Sequence, residues 1–100
     1  MPLNPVLNGA AQLATNQVSV KTTLTSIIGQ RSSRRGVIIA NITGTDTIYI
    51  GTENGVSSTA GYPIPATANA SIYIPTTAAL YGIVVTTAQT VGVLEIFDQG

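Results

Sequence analysis

The chain has 100 residues, of which only 8% are charged, and its four cations balance its four anions. This length predicts one domain with a modest core. The sequence has no cysteine and no histidine, which excludes disulfides, thiolate chemistry, the common zinc sites and the usual proton shuttle. So little charge does little to keep copies apart, and it is typical of a surface that neighbours cover.

Two features of the sequence argue against a membrane or secreted protein. No apolar run approaches the roughly 20 residues that are needed to cross a bilayer. The start, MPLNPVLNG, lacks the charged head and apolar middle of a signal peptide. We therefore expect no membrane partner, and a protein that is made and used without secretion.

The first residues show no sustained period, and they include Pro2, Pro5 and Gly9. The sequence therefore predicts an N-terminal arm over residues 1–16, followed by a β domain over residues 17–100. Apolar residues in the arm are too sparse to fold alone, so we expect them to fill pockets on a partner. They are Leu3, Val6, Leu7 and Leu13.

Threonine, valine and isoleucine supply 36 of the 100 residues, which favours pleated sheet and leaves little helix. The period of two and the turn residues predict strands at 17–20, 24–28, 35–42, 47–51, 71–74, 80–85 and 90–97. Two glycines and two prolines predict a loop over 53–65. About seven short strands at this spacing indicate an all-β fold, a small antiparallel β-sandwich or jelly-roll-like barrel.

The segment RRGVIIANITGTDTIYIG, residues 34–51, has two β-branched runs on either side of Thr43-Gly-Thr-Asp46. Gly44 can take a positive φ, and Asp46 can accept hydrogen bonds from nearby backbone amides. This pattern predicts a β-hairpin.

Few residues in this sequence could carry catalysis. The carboxylates, Asp46, Glu53, Glu95 and Asp98, lie in turns, at a strand end or alone on a strand, so a glycosidase-like pair is not predicted. Ser19 and Lys21 are neighbours on one face of a strand, which does not by itself make a nucleophilic couple. We predict a protein that is not an enzyme and has no catalytic residue, cofactor or metal.

Three of the four cations, Arg31, Arg34 and Arg35, are clustered. A nucleic-acid interface needs a larger basic field and stacking aromatics, so the cluster predicts a solvated loop or a patch that docks on an acidic neighbour.

The tyrosines, Tyr49, Tyr62, Tyr73 and Tyr81, would suit a sugar-binding platform or a protein interface. Tyr62 is predicted to bind a partner. Alternatively, Tyr49 and Tyr73 cap the edge of the core.

The middle of the chain resembles a pattern found in small virion proteins of tailed bacteriophages. The segments that carry the resemblance are RGVIIANI (35–42), DTIYIG (46–51), GVSSTAGYPIP (55–65) and ALYGIVV (79–85). The resemblance implies a non-enzymatic β-sandwich that assembles on a particle. We therefore predict a capsid cement or decoration protein that is made in the host cytoplasm and lies on the virion surface, and whose partners are the major capsid protein, another virion protein or further copies of itself. A head-fibre or tail adaptor module is an alternative, and a host-surface glycan-binding module is a third.

Overall fold

The computed structural model describes residues 11–98 of the chain. They form eight strands: β1 (Ala11–Val20), β2 (Thr25–Ile28), β3 (Arg34–Asn41), β4 (Ile48–Gly51), β5 (Tyr62–Ile64), β6 (Ala70–Ile74), β7 (Leu80–Val84) and β8 (Gln89–Asp98). No helix in this part of the chain is long and apolar enough to span a membrane.

The strands form two four-stranded antiparallel sheets. The long sheet has the order β1-β8-β3-β6, and the short sheet has the order β2-β7-β4-β5. The chain changes sheet between most successive strands, which gives the strand order of an eight-stranded jelly roll. The predicted all-β fold is therefore confirmed, and of the two forms that were predicted the structure is the antiparallel sandwich, with the strand order of a jelly roll.

The core lies between the two sheets and consists of their inward-facing aliphatic side chains. Alternation is clearest in β8, where every second residue from Gln89 to Glu95 is buried. Each fully buried aliphatic side chain contributes about 1.5–3 kcal/mol. The buried apolar residues are Val20, Ile27, Val37, Ile39, Ile48, Ile50, Ile64, Leu80, Val84, Val91 and Val93.

The predicted boundary after residue 16 is wrong. Residues 11–16 are the first half of β1, and β1 pairs with β8 in one unbroken register from Ala11↔Asp98 to Val20↔Gln89. Their sequence has no clear period because both faces of this half-strand are largely exposed, so its pairing is determined by β8. Residues 1–10 of the predicted arm lie outside the described residues.

The predicted hairpin over residues 34–51 is also wrong. β3 pairs with β6 and β8 in the long sheet, whereas β4 pairs with β5 and β7 in the short sheet. The segment between them therefore crosses from one sheet to the other. Its local chemistry is as predicted, because Gly44 has a φ of 72° and Asp46 accepts hydrogen bonds from backbone amides.

Buried polar side chains hold this crossing in place. Asn41 is fully buried; its Oδ1 accepts a hydrogen bond from the amide of Gly44 at 3.0 Å, and its Nδ2 donates to the carbonyls of Asp46 at 2.9 Å and Pro65 at 3.1 Å. Gln89 is fully buried too, and its side chain is likewise hydrogen-bonded. Because their bonds are satisfied within the domain, these two amides are structural.

The predicted loop over 53–65 ends in a short strand, β5, which pairs with β4 at the edge of the short sheet. Pro63 lies in the middle of this strand. Proline is tolerated there because the edge needs no donor on its outer side.

Candidate interaction surfaces

Glu95 lies at the centre of a buried ionic cluster. Glu95 on β8 and Arg34 at the start of β3 are each 4% exposed. The Nε atoms of Arg34 and Arg31 both donate to Glu95 Oε2 at 2.8 Å. Arg34 also donates from Nη1 to the carbonyl of Ala78 at 2.9 Å and from Nη2 to the carbonyl of Gly29. The guanidinium of Arg34 is thus held entirely by groups of this domain.

The ionic cluster keeps Glu95 charged. Burial raises the pKa of the Glu95 carboxyl, but hydrogen bonds from Arg34 and Arg31 and the charges of the two arginines together hold that pKa below its ordinary value. A general acid or base is best matched to its task with a pKa near the working pH. Glu95 is therefore suited to a structural role and poorly suited to proton transfer.

The arginines do not form one solvated patch, and that expectation is wrong for Arg34. The guanidinium of Arg31 is partly exposed and lies 4.0 Å from the centroid of the Phe97 ring, in cation–π geometry. Arg35 forms an ion pair with Asp98, and both side chains are about half exposed. Partner binding by the three arginines stays a prediction, with only Arg31 and Arg35 reaching the surface.

Asp46, unlike Glu95 and Asp98, serves the backbone. Asp46 Oδ2 accepts hydrogen bonds from the amides of Thr87 at 3.0 Å and Thr86 at 2.9 Å, which lower the pKa of Asp46. Residues 11–98 contain no group of three or more acidic, histidine or cysteine side chains that could hold a metal ion. Asp46 and Glu95 therefore have structural uses in this part of the chain.

The surface of the long sheet that points away from the core is nearly free of charge. We call it the outer face. It consists of Leu13, Thr15, Gln17 and Ser19 of β1; Thr90, Gly92, Leu94 and Ile96 of β8; Ile38 and Ala40 of β3; and Ser71 and Tyr73 of β6. In the described part of the chain, charge borders it only at its two ends, with the Arg35–Asp98 pair at one end and Lys21, directly after β1, at the other. A wide uncharged sheet surface is suited to contact with another protein.

A shallow depression crosses the outer face where Gly92 lacks a side chain. Its volume is about 350 Å³, and its lining includes Thr15, Gln17, Ile38 and Leu94. A β-carbon on Gly92 would lie 3.2 Å from Ile42 Cδ1, so glycine keeps the depression open beside Ile42. All of its lining residues are uncharged, and a space of this size can accept a side chain of another protein.

A second groove lies on the side of the sandwich between β6 and the short sheet. It has a volume of about 420 Å³, and its lining includes Tyr62, Tyr73, Ile72 and Leu80. Tyr62 is 63% exposed and Tyr73 is 51% exposed. The structure thus brings these two of the four tyrosines together. Their rings could contact a protein side chain or a sugar ring.

Tyr49 and Tyr81 are half-buried on the face of the short sheet that points away from the core, and they do not line this groove, so the four tyrosines do not form a single platform.

The apolar residues predicted to bind a partner separate into two sets. Leu13 is 65% exposed and lies on the outer face. Leu3, Val6 and Leu7 lie outside the described residues. No signal in the sequence identified the outer face itself, because it is assembled from strands that are distant along the chain.

No protein-family model matches the chain, and no curated protein matches it in sequence. A similar solved chain belongs to the Bacillus endospore appendages, a family of disulfide-linked pili. It has a TM-score of 0.49 and 17% sequence identity over 100% of both chains. An identity of 17% is too low to indicate a shared function.

Proposed function

We propose that this chain is a non-enzymatic virion structural protein, a capsid cement or decoration protein, that docks on an assembled shell through its outer face. The observation that carries the proposal is the lack of charge on that face between its two ends. A sheet face in contact with water alone ordinarily presents polar residues, and charged side chains are common among exposed residues.

The distribution of charge supports the proposal. The domain uses Arg34 and Glu95 in its interior and Asp46 at a turn. The large exposed apolar side chain of Leu13 remains on the outer face, with Tyr73 at the opposite edge. Such a surface gains free energy when a partner covers it, at about 25 cal/mol per Å² of apolar area.

The mechanism is stabilisation by mass action. A protein that binds the assembled shell and not its free subunits shifts the equilibrium towards the shell. No reacting group is needed. What the subunit needs is a rigid sandwich whose docking surface keeps its shape, and the antiparallel ladders of the long sheet provide this.

The test is co-sedimentation of the full chain with particles of the virus that encodes it. Ser71→Lys places a charge on the outer face at β6, and Leu13→Lys does so at β1. The matched control is Val85→Lys, because Val85 is 59% exposed and lies outside both sheets. We expect each outer-face variant to reduce occupancy at least roughly tenfold, a change of about 1.4 kcal/mol, while the control binds like the parent. Equal binding by all of them would contradict docking through this face.

The alternative virion roles differ in copy number. A cement or decoration protein covers the shell at many equivalent positions, whereas a head-fibre or tail adaptor occupies few. A reconstruction of whole particles decides between them.

The second groove, lined by Tyr62 and Tyr73 and called the tyrosine groove from here on, favours a second candidate, a host-surface glycan-binding module. Tyr62 and Tyr73 line the same groove, and aromatic faces with a polar tip suit sugar rings. A glycan array probed with the parent and with Tyr62→Ala tests it. Binding that the variant loses would support this role, and no binding by the parent would exclude it for the glycans on the array.

A further inference from the structure

The edges of the two sheets differ in how well they are protected. Within residues 11–98, four strands lie at sheet edges. β2 is short and has a register shift, β5 is three residues long and contains Pro63, and β6 has five residues with Pro75 directly after it. β1 has ten residues, with no proline, no charge and no register shift. Long, flat, uncharged edges are the ones that pair with other chains.

The hydrogen bonds of Thr90 show which backbone groups of β1 are free. The Thr90 amide donates to Thr43 Oγ1 at 2.8 Å, and the Thr90 carbonyl accepts from the Ile42 amide at 2.9 Å. Both bonds lie on the β3 side of β8. Ser19, opposite Thr90, therefore forms a non-hydrogen-bonded pair with it, and its own N–H and C=O point away from β8.

The register of β1 is unbroken, so the same direction repeats at every second residue. The N–H and C=O groups of Ala11, Leu13, Thr15 and Gln17 point outward together with those of Ser19. No residue within 11–98 pairs with this side of β1.

We propose that β1 pairs antiparallel with β1 of a second copy across a two-fold axis, which joins two long sheets into one of eight strands. This contact between copies goes beyond docking on a shell and does not depend on it. The five outward-facing residues of each copy would form about ten backbone hydrogen bonds. The outer face would continue across the axis.

Charge favours a second copy in this orientation. Lys21 directly follows β1, and Asp98 lies opposite Ala11 at the other end of the strand. An antiparallel pair places the two Lys21 side chains at opposite ends, each at the end where the other copy carries its Arg35–Asp98 pair one strand further in. A parallel pair would place the two lysines side by side, and like charges in that position are destabilising.

Residues 1–7 of the same chain are a weaker candidate for the occupant of this edge. Pro2 and Pro5 lack the N–H that a strand must donate. β1 itself has a donor at every position, and its free groups match those of its own two-fold copy.

The direction of the free groups fixes which registers are possible. The outward-facing groups belong to the odd-numbered residues of β1, so an odd-numbered residue of one copy must lie opposite an odd-numbered residue of the other. The two registers that pair the greatest length of β1 place the two-fold axis at Thr15 or at Asn16. With the axis at Thr15, Leu13 would lie opposite Gln17 of the second copy.

The first experiment measures the mass of the full chain by sedimentation over a wide range of concentration. We expect the mass to rise from 10.3 kDa towards twice that value. Thr15→Pro removes an outward-facing N–H and should weaken the dimer at least roughly tenfold. It should leave the pairing with β8 intact, as judged by an unchanged CD spectrum. The matched control, Thr15→Ala, keeps the N–H and should dimerise like the parent.

A second measurement does not rely on proline. The chain has no cysteine, so a single introduced cysteine can form only an intermolecular disulfide. Under mild oxidation, Thr15→Cys or Asn16→Cys should cross-link, according to the register, because facing residues in such a pair have Cα atoms within disulfide range. Val85→Cys is an exposed control: Val85 follows Val84, whose amide donates to the Lys21 carbonyl at the end of β1, so it lies far from the axis and should not cross-link.

Three results would overturn the proposal. In the first, the full chain stays monomeric at every concentration. In the second, a dimer forms, but Thr15→Pro does not weaken it and neither Thr15→Cys nor Asn16→Cys cross-links. In the third, a dimer appears only after residues 1–9 are deleted. The last result would make residues 1–7 the occupant of the edge. If Ser71→Lys lost shell binding but still dimerised like the parent, the result would concern docking through the outer face and not the β1 contact. The two proposals can therefore fail separately.

Discussion

Removing the carboxylate of Glu95 should destabilise the domain strongly, because it leaves Arg34 buried without its counter-ion. Glu95 Oε2 accepts two charge-assisted hydrogen bonds, each 2.8 Å long. Such bonds contribute about 1.5–3 kcal/mol each. Arg31 is partly exposed and can be rehydrated, so its bond belongs at the low end of that range.

Breaking a buried ion pair by removing one partner typically costs about 3–5 kcal/mol. We expect Glu95→Gln to lower the free energy of unfolding by about that amount. In a domain of this size each 1 kcal/mol corresponds to about 4–8 °C, so the Tm should fall by at least roughly 12 °C. Thermal unfolding followed by circular dichroism at neutral pH measures the change.

Two further variants make this prediction specific. Asp98→Asn breaks the half-exposed pair with Arg35, and exposed pairs contribute only about 0–1 kcal/mol. Replacing both buried partners, Arg34→Met with Glu95→Leu, should recover much of the loss, since apolar replacement of a buried pair is often neutral or stabilising. If Glu95→Gln and Asp98→Asn lowered the Tm by the same few degrees, the reasoning about burial would be refuted.

Three other predictions concern the crossing, the carboxylates and the tyrosine groove. Gly44→Val should lower the Tm by several degrees, because a side chain at φ 72° is strained by about 1–2 kcal/mol. Folding lowers the pKa values of Asp46 and Glu95. The stability that the two carboxylates contribute should therefore be constant above about pH 5 and lost as the pH falls through their folded pKa values. Urea titrations of the parent and of Asp46→Asn at a series of pH values measure this loss. Gly36→Ala should displace the ring of Tyr73, which a β-carbon would overlap, and so change the near-ultraviolet circular dichroism.

The sequence predicted most strands because their period reports which face is buried. In β8 the alternation of Val91 and Val93 with Gly92 and Leu94 survives in the structure as alternating burial. The first half of β1 has no such alternation, because β1 is an edge strand and both faces of this half are largely exposed. Where neither face of a strand is buried, apolar and polar residues need not alternate, and the sequence then gives no periodic signal for the strand.

Turn residues alone could not distinguish a hairpin from a crossing between sheets. Gly44 and Asp46 make the local conformations that either needs. The distinction is determined by pairing partners, and those of β3 are β6 and β8, which come about 30 and 50 residues later. Long-range pairing is decided by the whole core, so a local segment carries little information about it.

The ionic cluster and the outer face follow from the same long-range arrangement. Arg34 and Glu95 are 61 residues apart, and no spacing rule relates them. Alternation does place Glu95 on the same side of β8 as Val91 and Val93, so it is an inward-facing carboxylate that needs a partner in the core. Because the chain has so few charged residues, burying Arg34 and Glu95 lowers the number of charges that remain for the surface. That leaves the outer face uncharged, and an uncharged sheet with an unprotected edge strand is suited to association with other chains.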